Sequence, residues 1–123
     1  MPPKIRVLIA DDQRLFAEAL EAILSTDKRL EIVGKAADGE EAVGLAVALK
    51  PDVILMDIAM PKLDGVEAVR LIRANQPAAV ILMLTGSNSR SDVDRSRVSG
   101  AAGYVTKDLI ASELIEAIVE AAA

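Results

Sequence analysis

The chain has no cysteine and no histidine. The first absence leaves no disulfide framework and no thiolate metal site, and suits an intracellular, reducing setting. The second removes the commonest general base and transition-metal ligand. Aromatic residues are nearly missing too. Phe16 and Tyr104 stand alone, with no tryptophan, so aliphatic side chains must build the core. No apolar run approaches the ~20 residues of a membrane-spanning helix, and the N-terminus lacks a signal-peptide pattern. Nor is there an excess of positive charge: the formal net charge of −5 speaks against a nucleic-acid-binding surface on this segment. Together these absences lead us to expect a cytoplasmic protein with no membrane partner. What is present is 123 residues, 52% hydrophobic and 27% charged. That is one domain over 1–123, able to bury roughly two-thirds of its unfolded surface.

Five short apolar runs alternate with helical patterns. The strand candidates are IRVLIA (5–10), LEIVGKA (30–36), VILMD (53–57), AVILMLT (79–85) and GYVT (103–106). The first, third and fourth show little polar alternation, as expected of central parallel strands covered on both faces. The second mixes in Glu31 and Lys35, which suits an edge. Residues 13–25 carry Leu15, Ala19 and Ile23 at helical spacing, with Phe16, Leu20 and Leu24 beside them. The 39–50 helix opens with Asp38 three residues before Glu41 and stops at Pro51; the 65–75 helix opens with Asp64 before Glu67 and stops before Pro77. The last, about 109–122, places Ile110, Leu114 and Ile118 in one stripe. Such alternation predicts an α/β fold, a doubly wound parallel sheet with helices on both faces.

One segment breaks the pattern. Between Thr85 and Gly100 there are five serines, five charged residues and two large apolar residues, Val93 and Val98. It reads as a short, solvated helix, or as a loosely held one whose low opening free energy suits a switch.

Ligands of doubly wound sheets bind outside the carboxyl ends of the strands. Those ends hold Asp11-Asp12, Asp57, Thr85 and Thr106-Lys107: three carboxylates, hydroxyls and an ammonium on one edge. Taken singly, an Asp pair before a helix is an N-cap and Lys107 a solvated lysine. Their convergence requires more. Two like charges ~4 Å apart repel by about 4 kcal/mol at an effective dielectric near 20, so clustering carboxylates for capping alone is unfavourable. A bound divalent cation relieves the repulsion, and oxygen-only ligands favour Mg²⁺ over zinc or copper. Metal, carboxylate, hydroxyl and lysine together suit phosphoryl transfer. Asp57 would attack phosphorus to form an aspartyl phosphate, with Mg²⁺ held by Asp12, Asp57 and Asp11. Lys107 would pair with one phosphoryl oxygen, and Thr85 would donate to another.

With these residues in view, the chain resembles the receiver domain of a bacterial two-component response regulator over essentially its whole length. The motifs VLIADDQ, DVILMDIAMPKLDG, LMLTG and GYVTKD carry the resemblance, and the opening and ending are most similar to receivers of the NarL/FixJ type. It implies a (βα)5 flavodoxin-like fold with strand order 2-1-3-4-5. It also implies that the backbone carbonyl of Ala59 joins the Asp pair in binding Mg²⁺, that Asp57 is the phosphoacceptor, and that Thr85 and Lys107 are the hydroxyl and lysine of the site. The implied donor is the phosphohistidine of a sensor histidine kinase, and slow self-dephosphorylation follows transfer. Phosphorylation adds roughly −1.5 to −2 charge. In this family an aromatic matched by Tyr104 then turns into space vacated as Thr85 moves; Tyr104 otherwise reads as an ordinary half-buried strand residue. The resemblance further implies transcriptional output through a DNA-binding domain outside this chain, which has room for the receiver alone. It also implies a homodimer on phosphorylation, either through the fourth helix, fifth strand and fifth helix or through the first and fifth helices.

Two departures from the family pattern stand out. Asp108 follows Lys107 where many receivers have proline, so no cis bond is expected there. Ala59 and Ser87 occupy the variable positions that tune phosphoryl lifetime. Two rival readings are weaker. A dehalogenase-type phosphatase needs a second Asp where Ala59 stands, and a phosphorylation-independent binding module would have no use for the acidic cluster. No glycine-rich loop follows the first strand, against a nucleotide-binding fold.

Overall fold

The computed structural model describes residues 3–58, 60, 65–86 and 100–122. The strands are β1 (Ile5–Ala10), β2 (Leu30–Ala36), β3 (Val53–Asp57), β4 (Val80–Thr85) and β5 (Gly103–Thr106). They form one parallel sheet in the order β2-β1-β3-β4-β5. This is the expected doubly wound order, and each strand matches its apolar run to within one residue. Ala79 falls outside β4 because its amide closes a turn onto the Gln76 carbonyl at 3.0 Å.

Two cores follow from the strand alternation. Leu8, Ala10, Ile54, Met56, Ile81 and Met83 face one side, where α2 (Gly39–Leu49) and α3 (Gly65–Asn75) cover them. Val7, Ile9, Val53, Leu55, Leu84 and Val105 face the other, beneath α1 (Arg14–Leu24) and the C-terminal helix Ile115–Ala122. Burying each large aliphatic side chain stabilises the fold by roughly 1.5–3 kcal/mol, which is how a chain with two aromatic residues builds its core.

The helices show where sequence and structure part. In α1 the buried residues are Ala17, Leu20 and Leu24, while Leu15 is 81% exposed and Ala19 is exposed. The stripe of Leu15, Ala19 and Ile23 is therefore not the core face. Asp38 caps α2 as expected, accepting from the Glu41 amide at 2.8 Å, while Glu41 reaches back to the Ala37 amide at 2.8 Å. The α2 helix ends where Lys50 turns left-handed (φ 47°) ahead of Pro51. Gly34, beside a register shift in β1–β2, lies under that end; a Cβ there would sit 2.9 Å from Leu49 Cδ1. The predicted 65–75 helix appears as α3, whereas the Asp64 cap and the 87–99 segment lie outside the described residues. The chain re-enters at Gly100 with φ 98°, a conformation that favours glycine. The final helix does not start as a regular α-helix. A 3₁₀ turn over Lys107–Leu109 leads into a π segment over Ile110–Leu114. Ile110 and Leu114 are buried in the core, whereas Leu109 is exposed. No cis peptide bond occurs among the described residues.

Candidate functional site

Strand parity decides which side chains meet. Asp11 follows Ile9, Asp57 follows Leu55 and Lys107 follows Val105, so all three emerge on the α1 side of the sheet edge. Asp11 and Asp57 are buried, 2% and 5% exposed, at positions that end hydrophobic strands. Lys107 Nζ satisfies both, donating to Asp11 Oδ2 at 3.1 Å and to Asp57 Oδ2 at 3.3 Å. The same ammonium sits 4.4 Å from the centroid of the Phe16 ring. That ring, one turn into α1, adds a cation–π contact and shields the ammonium from water.

Burial is the largest single influence on Lys107 and disfavours its charged form. The hydrogen bond to Asp11, the charges of Asp57 and Asp11 and the hydrogen bond to Asp57 together outweigh it, so the pKa is raised. The ammonium is held in its charged form. It does not neutralise the site, however, because three carboxylates converge on it. Asp11, Asp12 and Asp57 each offer a carboxylate oxygen, and these oxygens lie within 4.8 Å of one another.

The Asp pair is not a helix cap. Asp11 Oδ1 accepts from the Gln13 amide at 2.8 Å, fixing the turn into α1, while the N-cap is Gln13 and has no side-chain cap bond. Asp12 is exposed, and nothing among the described residues engages its carboxylate. A cleft of about 350 Å³ opens beside both, reaching Lys35 and Glu41. Buried and exposed carboxylates together, with no nitrogen or sulfur donor, fit a hard divalent cation such as Mg²⁺. Ala59, the expected carbonyl ligand, lies outside the described residues.

Thr85 and Thr106 belong to the opposite face. They are register partners at the ends of β4 and β5, 1% and 4% exposed. Tyr104, the register partner of Met83 on the same face, is 40% exposed. The Thr106 hydroxyl oxygen is buried with no hydrogen-bond partner among the described residues. Such a group costs about 1–3 kcal/mol.

The structure thus brings Asp11, Asp12, Asp57 and Lys107 into one cluster and sets Thr85 on the neighbouring strand end. One contact escaped the sequence reading. Phe16 reads there as a core residue, although its place just after the Asp pair puts it next to any lysine paired with them.

The comparisons with known proteins bear on the family and the fold. The family model of the response regulator receiver domain matches residues 7–119. The transcriptional regulatory protein MctR of Rhizobium johnstonii is 40% identical over 116 residues, covering 94% of this chain and 54% of that protein. DegU of Brevibacillus brevis is 43% identical over 115 residues, covering 94% and 49%. The chain spans about half the length of these curated relatives. Among solved structures, the signal receiver domain of the response regulator NarL from Mycobacterium tuberculosis superposes with a TM-score of 0.93 at 33% identity, covering 98% of each chain. The response regulator domain of Thermotoga maritima CheB gives 0.91 at 35% identity, covering 97% and 96%. By fold, by the family match and by its relatives, the chain belongs to the response regulator receiver domains.

Proposed function

We propose that this receiver is a phosphorylation switch whose acceptor is Asp57 and whose donor is the phosphohistidine of a sensor histidine kinase. The observation that carries the reading is the Lys107 ammonium bridging Asp11 and Asp57 at 3.1 and 3.3 Å. A lysine so placed sets a cation against the buried carboxylate that would act as the nucleophile.

In the transfer, an Asp57 carboxylate oxygen bonds to phosphorus as the donor's phosphorus–nitrogen bond breaks. The departing imidazole nitrogen keeps the electron pair and takes a proton from solvent. Lys107 exchanges its contact with Asp57 for one phosphoryl oxygen, remaining bonded to Asp11. Thr85 donates its hydroxyl proton to another phosphoryl oxygen. Asp11, Asp12 and Asp57, with the Ala59 carbonyl that the family resemblance implies, would hold Mg²⁺, which when bound neutralises charge on the transferring group. Slow hydrolysis of the aspartyl phosphate resets the switch. As Thr85 moves, Tyr104 turns inward from its exposed position, changing the surface around β5.

The relatives named above are transcriptional regulators about twice this length, which supports regulation of transcription through an attached or partner DNA-binding output, with homodimerisation on phosphorylation. The test is incubation with acetyl phosphate and Mg²⁺, read by intact mass. The parent gains one phosphoryl group; Asp57→Asn gains none, and a chelator abolishes the gain. Equal labelling of Asp57→Asn and parent contradicts the assignment.

A further inference from the structure

We propose that Phe16 is a positioning residue of the switch: the face of its ring keeps the Lys107 ammonium at the place from which it reaches a phosphoryl group on Asp57. The proposal rests on the reading of Asp57 as acceptor.

The ammonium meets three groups: Asp11 Oδ2 at 3.1 Å, Asp57 Oδ2 at 3.3 Å and the Phe16 ring centroid at 4.4 Å. Two of the three come from one short stretch of chain. Asp11 Oδ1 accepts from the Gln13 amide at 2.8 Å, and the Gln13 carbonyl accepts from the Ala17 amide at 3.0 Å. Phe16 lies in that first turn of α1, so ring and carboxylate approach the lysine as one unit. The ring is half-buried and packs against the core on the α1 side. An aliphatic side chain could fill that space, but it would only take water from the ammonium. A ring face also attracts it.

The three contacts differ in what transfer does to them. Lys107 gives up Asp57 for a phosphoryl oxygen, and a divalent cation on the carboxylates would weaken their pull on the ammonium. The ring has no charge to be neutralised and no acceptor atom to compete with the phosphoryl oxygens. It therefore holds the ammonium through the exchange without locking it onto one oxygen.

Phe16 is the only phenylalanine in the chain, so incorporating a fluorinated phenylalanine alters this ring alone. Fluorine draws electron density from the ring face and keeps the ring apolar. Protein carrying the unmodified, mono-, di- or trifluorinated ring is labelled with acetyl phosphate in saturating Mg²⁺, followed by intact mass. The labelling rate should fall stepwise with fluorine number, about fivefold at the trifluorinated ring, the worth of one cation–π contact. Phe16→Leu should lose as much, and Phe16→Tyr should recover most of that loss. Urea unfolding without Mg²⁺ or phosphodonor reads the contact itself. There the trifluorinated ring should lower the folding equilibrium constant about fivefold in the parent and leave it unchanged in Lys107→Met. A labelling rate indifferent to fluorine number, or an equal stability loss with and without Lys107, overturns the role of the ring and leaves Asp57 as acceptor. Failure of the unfluorinated parent to take up a phosphoryl group overturns both.

Discussion

At the N-terminal ends of the strands, Arg6 donates to the carbonyl oxygens of Leu49 and Lys50 at 2.8 and 3.0 Å, and Asp52 accepts from the Arg6 amide at 2.9 Å. At the C-terminal ends, Lys107 instead holds two carboxylates, one of which, Asp11, also accepts from the Gln13 amide. Both ends carry charged side chains, but those at the first are spent on backbone groups that the chain leaves open as it turns from α2 into β3. At the second they engage one another and leave an excess of negative charge. The larger cleft, about 750 Å³, lies at the first end, lined by Lys4, Lys50, Asp52, Asn75 and Gln76. The cleft beside Asp11 and Asp12 is about 350 Å³. Size therefore does not distinguish the proposed functional end; carboxylates converging on one lysine do.

The comparison breaks most visibly if the lysine is removed. Lys107→Met leaves Asp11 and Asp57 buried without their cation, and should destabilise the fold by roughly 2 kcal/mol in urea unfolding. Added Mg²⁺ should recover part of that loss. An unchanged midpoint would mean that the cluster is not electrostatically coupled.

At the other end, Arg6→Ala removes two hydrogen bonds to carbonyls and should lower stability by about 1–2 kcal/mol. Phosphoryl gain from acetyl phosphate should be unaltered. A matching loss of labelling would erase the distinction between the ends.

The smallest effect concerns Asp27, also near the N-terminal ends. The Arg29 side chain, then the Arg29 amide, hydrogen-bond its carboxylate and lower its pKa from 3.8 to about 2. A lowered folded-state pKa gives stability that is present above the unfolded value and lost as pH falls towards about 2. The pair is solvent-exposed and screened by salt, so the contribution is small. Asp27→Asn should slightly flatten the acid limb of a pH–stability curve between those values, and high salt should remove the difference.

How much of this could be read from the sequence depends on what fixes each feature. Asp11, Asp57 and Lys107 could be placed together because hydrophobic strands delimit their own ends and a parallel sheet puts those ends on one edge. That Lys107 contacts Asp11 as well as Asp57 needed the strand parity. The inward face of α1 was not decided by the sequence because eight apolar residues from Leu15 to Leu24 support two overlapping stripes at 100° per residue. The turn held by Asp11 and Gln13 selects Ala17, Leu20 and Leu24. The π segment at Ile110–Leu114 has no signature in residue type. The orphan hydroxyl of Thr106 depends on where every neighbouring donor ends up, which no local pattern encodes.

The central claim is that Asp57 receives the phosphoryl group, and chemical mapping tests it most directly. After reaction with acetyl phosphate and Mg²⁺, borohydride reduces an aspartyl phosphate to homoserine and leaves phosphoserine and phosphothreonine intact. Peptide sequencing by mass spectrometry should then find homoserine at position 57 and aspartate at 11 and 12. Homoserine at either of those positions, or a stable phosphate on Thr85 or Thr106, would contradict the account.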